Sequence, residues 1–253
     1  MGILDEKAIM ITGAASGIGR ATAIEAAAEG ARLVLCDVND EAGEAEAAAI
    51  DGAEFVHCDV TDEASVEAAV AATVENLGRL DGCFNCAGIL AAIGNVGEVP
   101  FDEWQKVIDV DLNGVFLCTK HQIKVMAEQG SGSILNMASA AGLIGWPAAA
   151  AYVAAKHGVV GLSKSAALEY AEAGVRVNSI CPSYVLTPMV EKDLFEDTLG
   201  GDEELIAAAR ANHPIGRFAQ PPEIANAAVW LLSDKASFVT GSAMSVDGGY
   251  TTP

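Results

Sequence analysis

A serine, a tyrosine and a lysine, Ser139, Tyr152 and Lys156, stand in one run, SAAGLIGWPAAAAYVAAK. Tyr152 and Lys156 lie four residues apart in an alanine-rich stretch that reads as helix, so both side chains leave one face. An ammonium beside a phenol favours the phenolate. At a separation of about 4 Å and an effective dielectric near 20, the attraction is roughly 4 kcal/mol. That is on the order of three pKa units, enough to bring a tyrosine from about 10 towards neutrality. Ser139 precedes Tyr152 by thirteen residues, about 20 Å along an unbroken helix. If the three act together, the chain must turn back between them, as Gly142, Gly145 and Pro147 permit. The YxxxK spacing fits an ordinary helix as well, so the rest of the chain must decide.

The N-terminal residues supply a partner for such a base. Residues 7–12 (KAIMIT) read as a buried strand, followed by GAASGIG, a helix over about 17–29, and a second strand at 32–36 ending in Asp37. Strand, glycines, helix, strand and acid make a dinucleotide-binding unit. Gly13 permits the tight turn. Gly17 and Gly19 let a pyrophosphate approach the helix N-terminus, whose free N–H groups and dipole favour negative charge. With Ser16 and Ile18 these form the expected cofactor loop. Asp37 offers a carboxylate to two ribose hydroxyls and repels a 2′-phosphate. Neither Ser16 nor Val38 supplies a compensating positive charge, so NAD is expected over NADP.

Strands at 54–57, 81–85, 133–137, 175–180 and about 243–246 alternate with helices at about 40–50, 62–77, 101–129, the Tyr152 helix to about 170, and 221–233. This predicts an α/β fold: a single doubly wound Rossmann-like domain over 1–253, with a parallel sheet of about seven strands and helices on both faces. Residues 182–215 break the pattern with Pro182, Pro188, the charges Glu191, Lys192 and Asp193, and Gly200-Gly201. A substrate-covering segment at about 186–215 is one reading, a solvated surface excursion the other.

The formal net charge is −21. So acidic a surface repels nucleic acid and anionic membranes, and neither is an expected partner. The six cysteines are scattered, mostly in apolar runs, which suits reduced thiols in a cytoplasmic protein. Cys83 and Cys86 form a CxxC at a strand end, without a second CxxC or clustered histidines, so no metal is expected. The N-terminus reads as neither signal peptide nor membrane anchor.

Along the whole chain these motifs resemble the short-chain dehydrogenase/reductase family: TGAASGIG (12–19), Asp37, Asp59-Val60, NCAG (85–88), Ser139, YVAAK (152–156), Val185-Leu186-Thr187 and VTGSAMSVDGG (239–249). The resemblance implies that Tyr152 carries the alcohol or carbonyl proton. Lys156 holds the nicotinamide ribose and lowers the tyrosine pKa, and Ser139 hydrogen-bonds the substrate oxygen. It also implies that Val185 and Thr187 hold the carboxamide, with Pro182 beside them. Asp59 and Val60 flank the adenine, and Asn85, Ala87 and Gly88 line the adenosine ribose side. The implied assembly is a homotetramer packed through the long helix and the Tyr152 helix.

Three positions depart from the family pattern. Asp111 stands where a catalytic-relay Asn is usual, which would add negative charge near Lys156. NCAG replaces NNAG. Pro182-Ser183 replaces Pro-Gly, placing a side chain near the nicotinamide. Ala140, Leu143, Ile144, Trp146, Ile89, Ala91, Tyr184 and Met189 form a mostly apolar candidate pocket wall, suited to a small cyclic or steroid-like secondary alcohol or ketone. Two other enzyme readings are a 3-oxoacyl-carrier-protein reductase and a glucose or polyol dehydrogenase. A non-catalytic NAD sensor or scaffold is the reading outside enzymes.

Overall fold

The computed structural model describes residues 2–252. Among them seven strands form one parallel sheet: β1 (Ala8–Thr12), β2 (Arg32–Asp37), β3 (Glu54–His57), β4 (Gly82–Asn85), β5 (Gly132–Met137), β6 (Val175–Pro182) and β7 (Ala243–Val246). Their order is β3-β2-β1-β4-β5-β6-β7. The alternation of side chains explains the layering. In β1, Ile9 and Ile11 join Leu33, Leu35 and Phe84 in one core, while Ala8 and Met10 join Val34, Cys36 and Cys83 in the other. Both faces are dry, which is why β1 reads as an uninterrupted apolar run. Burying each such isoleucine contributes about 2 kcal/mol.

On the Ile9 face lie α1 (Gly17–Ala28), α2 (Asp40–Ala49) and α8 (Pro221–Leu232). The Met10 face is covered by α3 (Glu63–Leu77), α5 (Val115–Gln129) and α6 (Ala150–Tyr170), with α4 (Phe101–Ile108) leading into α5. Helix starts follow their capping residues. Asn39 accepts from the Ala42 N–H, Asp62 from Ala64, and α8 opens with Pro221 and a Gln220–Glu223 capping box.

Two stretches differ from the sequence expectation. The helix expected over 101–129 is interrupted by a π-helical turn, Asp109–Gly114. Gly114 packs there so closely on Val60 that a Cβ would lie 2.8 Å from its Cγ2, and the extra residue in the turn faces Asp111 inward. The irregular stretch after β6 is largely helical, with a wide turn at Met189–Thr198 and α7 at Glu203–Ala211. Its charges are surface residues of an amphipathic element: Glu191 and Lys192 are exposed, whereas Leu194 and Phe195 are buried.

β1 and β4 are neighbours whose chains leave in opposite directions across the sheet. A crevice opens at their C-terminal ends, the usual ligand position in such sheets.

Candidate functional site

Beyond β1 the chain turns at Gly13, in left-handed backbone with φ +67. A Cβ here would lie 2.8 Å from the Ala87 backbone, and one on Gly19 would collide with the Gly13 carbonyl oxygen. The turn therefore requires bare backbone. The Thr12 hydroxyl accepts from the N–H groups of Cys86 (3.1 Å) and Ala87 (3.3 Å), tying the ends of β1 and β4 together. Helix α1 begins at Gly17, and Ser16 does not cap it with its side chain. Its first N–H groups are thus available to an anion in the crevice. At the end of β2, Asp37 accepts from Ala15 N–H and Asn39 N–H, each at 3.0 Å, which fixes the carboxylate against the glycine loop. Each oxygen keeps a lone pair for a further donor. Nearby, two hydrogen bonds from Thr61 hold the Asp59 carboxyl below its ordinary pKa.

The crevice is a cleft of about 360 Å³. It brings together Gly13, Ser16, Gly17, Ile18, Gly19, Asp37, Asp59, Val60, Ala87, Gly88, Ser139, Tyr152, Lys156, Pro182, Val185 and Thr187. Two expected residues do not line it. Asn85 is buried in the sheet: its amide donates to Gln122 Oε1 (2.9 Å) and Asn136 Oδ1 (2.8 Å) and accepts from Gln122 Nε2 (2.7 Å). Its strand position turns the side chain towards α5 instead of the cleft. Asp111 is fully buried behind Lys156, where Oδ1 accepts from the Ile89 N–H at 2.8 Å.

Ser139 follows β5 in extended backbone and accepts from the Ala141 N–H at 3.1 Å. The chain then turns through a short 3₁₀ segment, Ala140–Gly142, and a left-handed Ala148 (φ +61) before α6 returns it. Ser139 and Tyr152 thereby border the same cavity. The Tyr152 ring packs edge-on to Trp146, with centroids 6.3 Å apart. Lys156 is 2% exposed, so its charge is fully inside the protein. Its Nζ donates to the Met137 carbonyl oxygen (3.2 Å), lies 3.7 Å from Asp111 Oδ2, and sits 5.3 Å from the Tyr152 ring centroid.

These positions correct the sequence-based electrostatics. Burial raises the Tyr152 pKa; Lys156 pulls it down, but Asp111 opposes that pull, and the net direction is up. The expected descent towards neutrality left out the cost of burying the phenolate, to which the Asp111 charge adds. Burial lowers the Lys156 pKa, yet Asp111 and Tyr152 more than reverse this, so the lysine stays charged. Burial also raises the Asp111 carboxyl against the pull of Lys156.

Beside Ser139 and Tyr152 a smaller pocket of about 50 Å³ leads off the cleft. Of the expected wall, Ala140, Ile144, Trp146, Tyr184 and Met189 line it. Ile89 lines the cleft, while Leu143 and Ala91 pack into separate apolar clusters. Sequence reading missed Leu90, Leu194 and Tyr250. The signal for Tyr250 was weak: it follows the Asp247-Gly248-Gly249 turn, where Asp247 accepts from Gly249 N–H and Thr251 N–H.

Among the described residues no group of His, Cys, Asp and Glu could hold a metal ion, and no helix is long and apolar enough to cross a membrane.

A family model described as enoyl-(acyl carrier protein) reductase matches residues 13–251. A 2,5-dichloro-2,5-cyclohexadiene-1,4-diol dehydrogenase of Sphingobium indicum is 47% identical over 253 residues, covering 99% of each chain. The cyclohexanol dehydrogenase of an Acinetobacter species is 42% identical over 252 residues, covering 98% of this chain and 96% of that one. The crystal structure of a 3-ketoacyl-(acyl-carrier-protein) reductase from Brucella melitensis, complexed with NADH, matches with a TM-score of 0.90 and 34% identity. It covers 98% of this chain and 99% of that chain.

Proposed function

The chain belongs to the short-chain dehydrogenase/reductase family, and from that premise we propose that it interconverts a small alicyclic secondary alcohol and its ketone with NAD(H). The observation that carries this reading is the position of Tyr152, where a long dinucleotide-sized cleft meets a small, mostly apolar pocket. The cofactor is a nicotinamide dinucleotide. The bare glycine cradle and the uncapped start of α1 fit its pyrophosphate, and Asp37 supports NAD as the preferred form. When bound, that group exchanges hydride with the substrate carbon.

The chain's own residues handle the oxygen. Tyr152 takes the hydroxyl proton in oxidation and returns one to the carbonyl in reduction. Ser139 hydrogen-bonds the same oxygen as its charge changes. Lys156 supplies a buried positive charge that favours the phenolate and holds the cofactor ribose. Residues 186–215 cover the substrate, an assignment supported by Met189, Val190 and Leu194 on the pocket wall. The exposed Phe116 on α5 and Leu168 on α6 support a tetramer in which these helices pack against other copies.

A spectrophotometric screen of NAD⁺ reduction tests the reading. Ring alcohols of cyclohexanol size are expected to exceed both glucose-like polyols and four-ring steroids in kcat/KM, because the pocket is mostly apolar and small. Activity confined to glucose-like polyols, or tight NAD binding without oxidation of any alcohol, overturns it.

Asp111 adds a second expectation. Burial does most to hold the Tyr152 pKa up and the Asp111 charge adds to it, so Asp111→Asn removes one opponent of the phenolate and the tyrosine pKa falls. Oxidation requires the deprotonated tyrosine, so the rising limb of its kcat/KM–pH profile should move to lower pH. An unmoved limb shows that the Asp111 charge does not reach Tyr152.

A further inference from the structure

Ser183 follows β6 and lines both the cofactor cleft and the substrate pocket. Its hydroxyl is 3.1 Å from the Asp247 carbonyl oxygen and 2.9 Å from His213 Nε2. His213 is 2% exposed, and its Nδ1 faces the Ala209 carbonyl oxygen at 3.0 Å. A carbonyl only accepts, so Nδ1 carries a proton. The ring is fixed by aromatic neighbours, Tyr250 at 4.9 Å and Tyr184 at 5.6 Å between centroids. Both tyrosines line the pocket as well.

Counting protons gives Ser183 a defined character. If His213 is neutral, Nε2 is an acceptor, and the single serine proton is shared between Nε2 and the Asp247 carbonyl. If His213 is charged, Nε2–H donates to Ser183, which donates to Asp247. In both states the serine proton is committed within the protein, and at least one lone pair is left. Towards a ligand Ser183 is therefore an acceptor and not a donor. It complements an O–H and offers nothing to a carbonyl, ether or halogen at the same place. Ser139 and Tyr152 are already assigned to the reacting oxygen, so this acceptor serves a different group.

We propose that Ser183, positioned by His213, binds a second hydroxyl on the substrate ring, so that ring diols are preferred over simple ring alcohols. The proposal rests on the ring-alcohol reading above and names the substrate class of that same pocket. It also gives a physical role to the side chain that stands where the family usually has glycine.

The test compares kcat/KM with NAD⁺ for cyclohexanol, the 1,2-, 1,3- and 1,4-cyclohexanediols, and the corresponding fluorocyclohexanols, in which fluorine replaces the second hydroxyl without donating. At least one diol is expected to exceed cyclohexanol by about tenfold, the range of one well-formed hydrogen bond. Its fluoro counterpart should lack the advantage. Ser183→Ala and Ser183→Gly should each collapse the diol-to-cyclohexanol ratio, and His213→Phe should lower it while keeping an aromatic ring in place. A ratio that survives both serine variants, or a fluoro compound that shares the advantage, overturns the subsite. A ratio untouched in His213→Phe removes His213 from it. If cyclohexanol is oxidised with no diol advantage, the subsite alone fails. If no ring alcohol is oxidised, the parent reading fails and the subsite falls with it.

Discussion

Replacing Tyr152 by Phe should cost about 10²–10⁴-fold in kcat, the range of a positioned proton-transfer group, while NADH binding stays near that of the unsubstituted protein. The substitution isolates one atom. Phenylalanine keeps the ring that packs against Trp146 and lies beneath the Lys156 ammonium, so the fold of α6 has no reason to change. The glycine cradle and Asp37 lie on other elements and keep their geometry. Only the hydroxyl that exchanges a proton with the substrate is lost. The pH profile gives a second readout. In the unsubstituted enzyme, oxidation climbs as the buried phenol ionises. In the protein alone burial holds that phenol above its ordinary pKa, against the pull of Lys156. The residual activity of the Phe variant should lack that limb. NADH affinity by fluorescence titration and kcat by absorbance check both parts. Turnover near the original level would mean that another residue moves the proton.

The second large effect concerns the choice between NAD and NADP. With the carboxylate of Asp37 tied by two backbone N–H groups, it cannot swing aside for a phosphate. A 2′-phosphate would bring like charges together at a cost of several kcal/mol and displace the hydroxyls that Asp37 is placed to receive. The expected preference in kcat/KM is at least about 10²-fold for NAD, since each 1.4 kcal/mol is tenfold. Asp37→Asn removes the repulsion while keeping the shape, and should narrow that ratio mainly by improving NADP. A preference for NADP in the unsubstituted protein would contradict the assignment, and a ratio unmoved in Asp37→Asn would place the discrimination elsewhere. Arg20 on α1 does not line the cleft and pairs with Glu46 at 2.6 Å.

The sheet was legible because its signals are local. Apolar runs such as AIMIT, the glycines after them, and caps such as Asn39 and Asp62 each determine their element with little help from afar. The cleft was legible for the same reason: its residues cluster at strand ends. What escaped depended on long-range placement. Asn85 belongs to a motif at the mouth of the cleft, yet the phase of its strand sends it into a buried amide network with Gln122 and Asn136. Tyr250 reaches the pocket only because β7 docks beside β6 at the far end of the sheet. The Tyr152 pKa turned chiefly on burial, which depends on everything packed around the ring and which a spacing of four residues does not report.

The interruption between α4 and α5 has a consequence for how the chain can change over time. A π-helical turn holds one residue more than an α-helix needs to cover the same path, so α5 is indexed to its partners by an insertion, not by uniform winding. Deleting one residue from Asp109–Gly114 would let an α-helix cover the same path with both flanks in register, and would change which side chain of the turn faces inward. Asp111 would swing off Lys156, while Gln122 on α5 would keep Asn85. Descendants can exchange side chains in this turn one at a time, but they cannot shorten it by one without turning Asp111 away from the proton machinery.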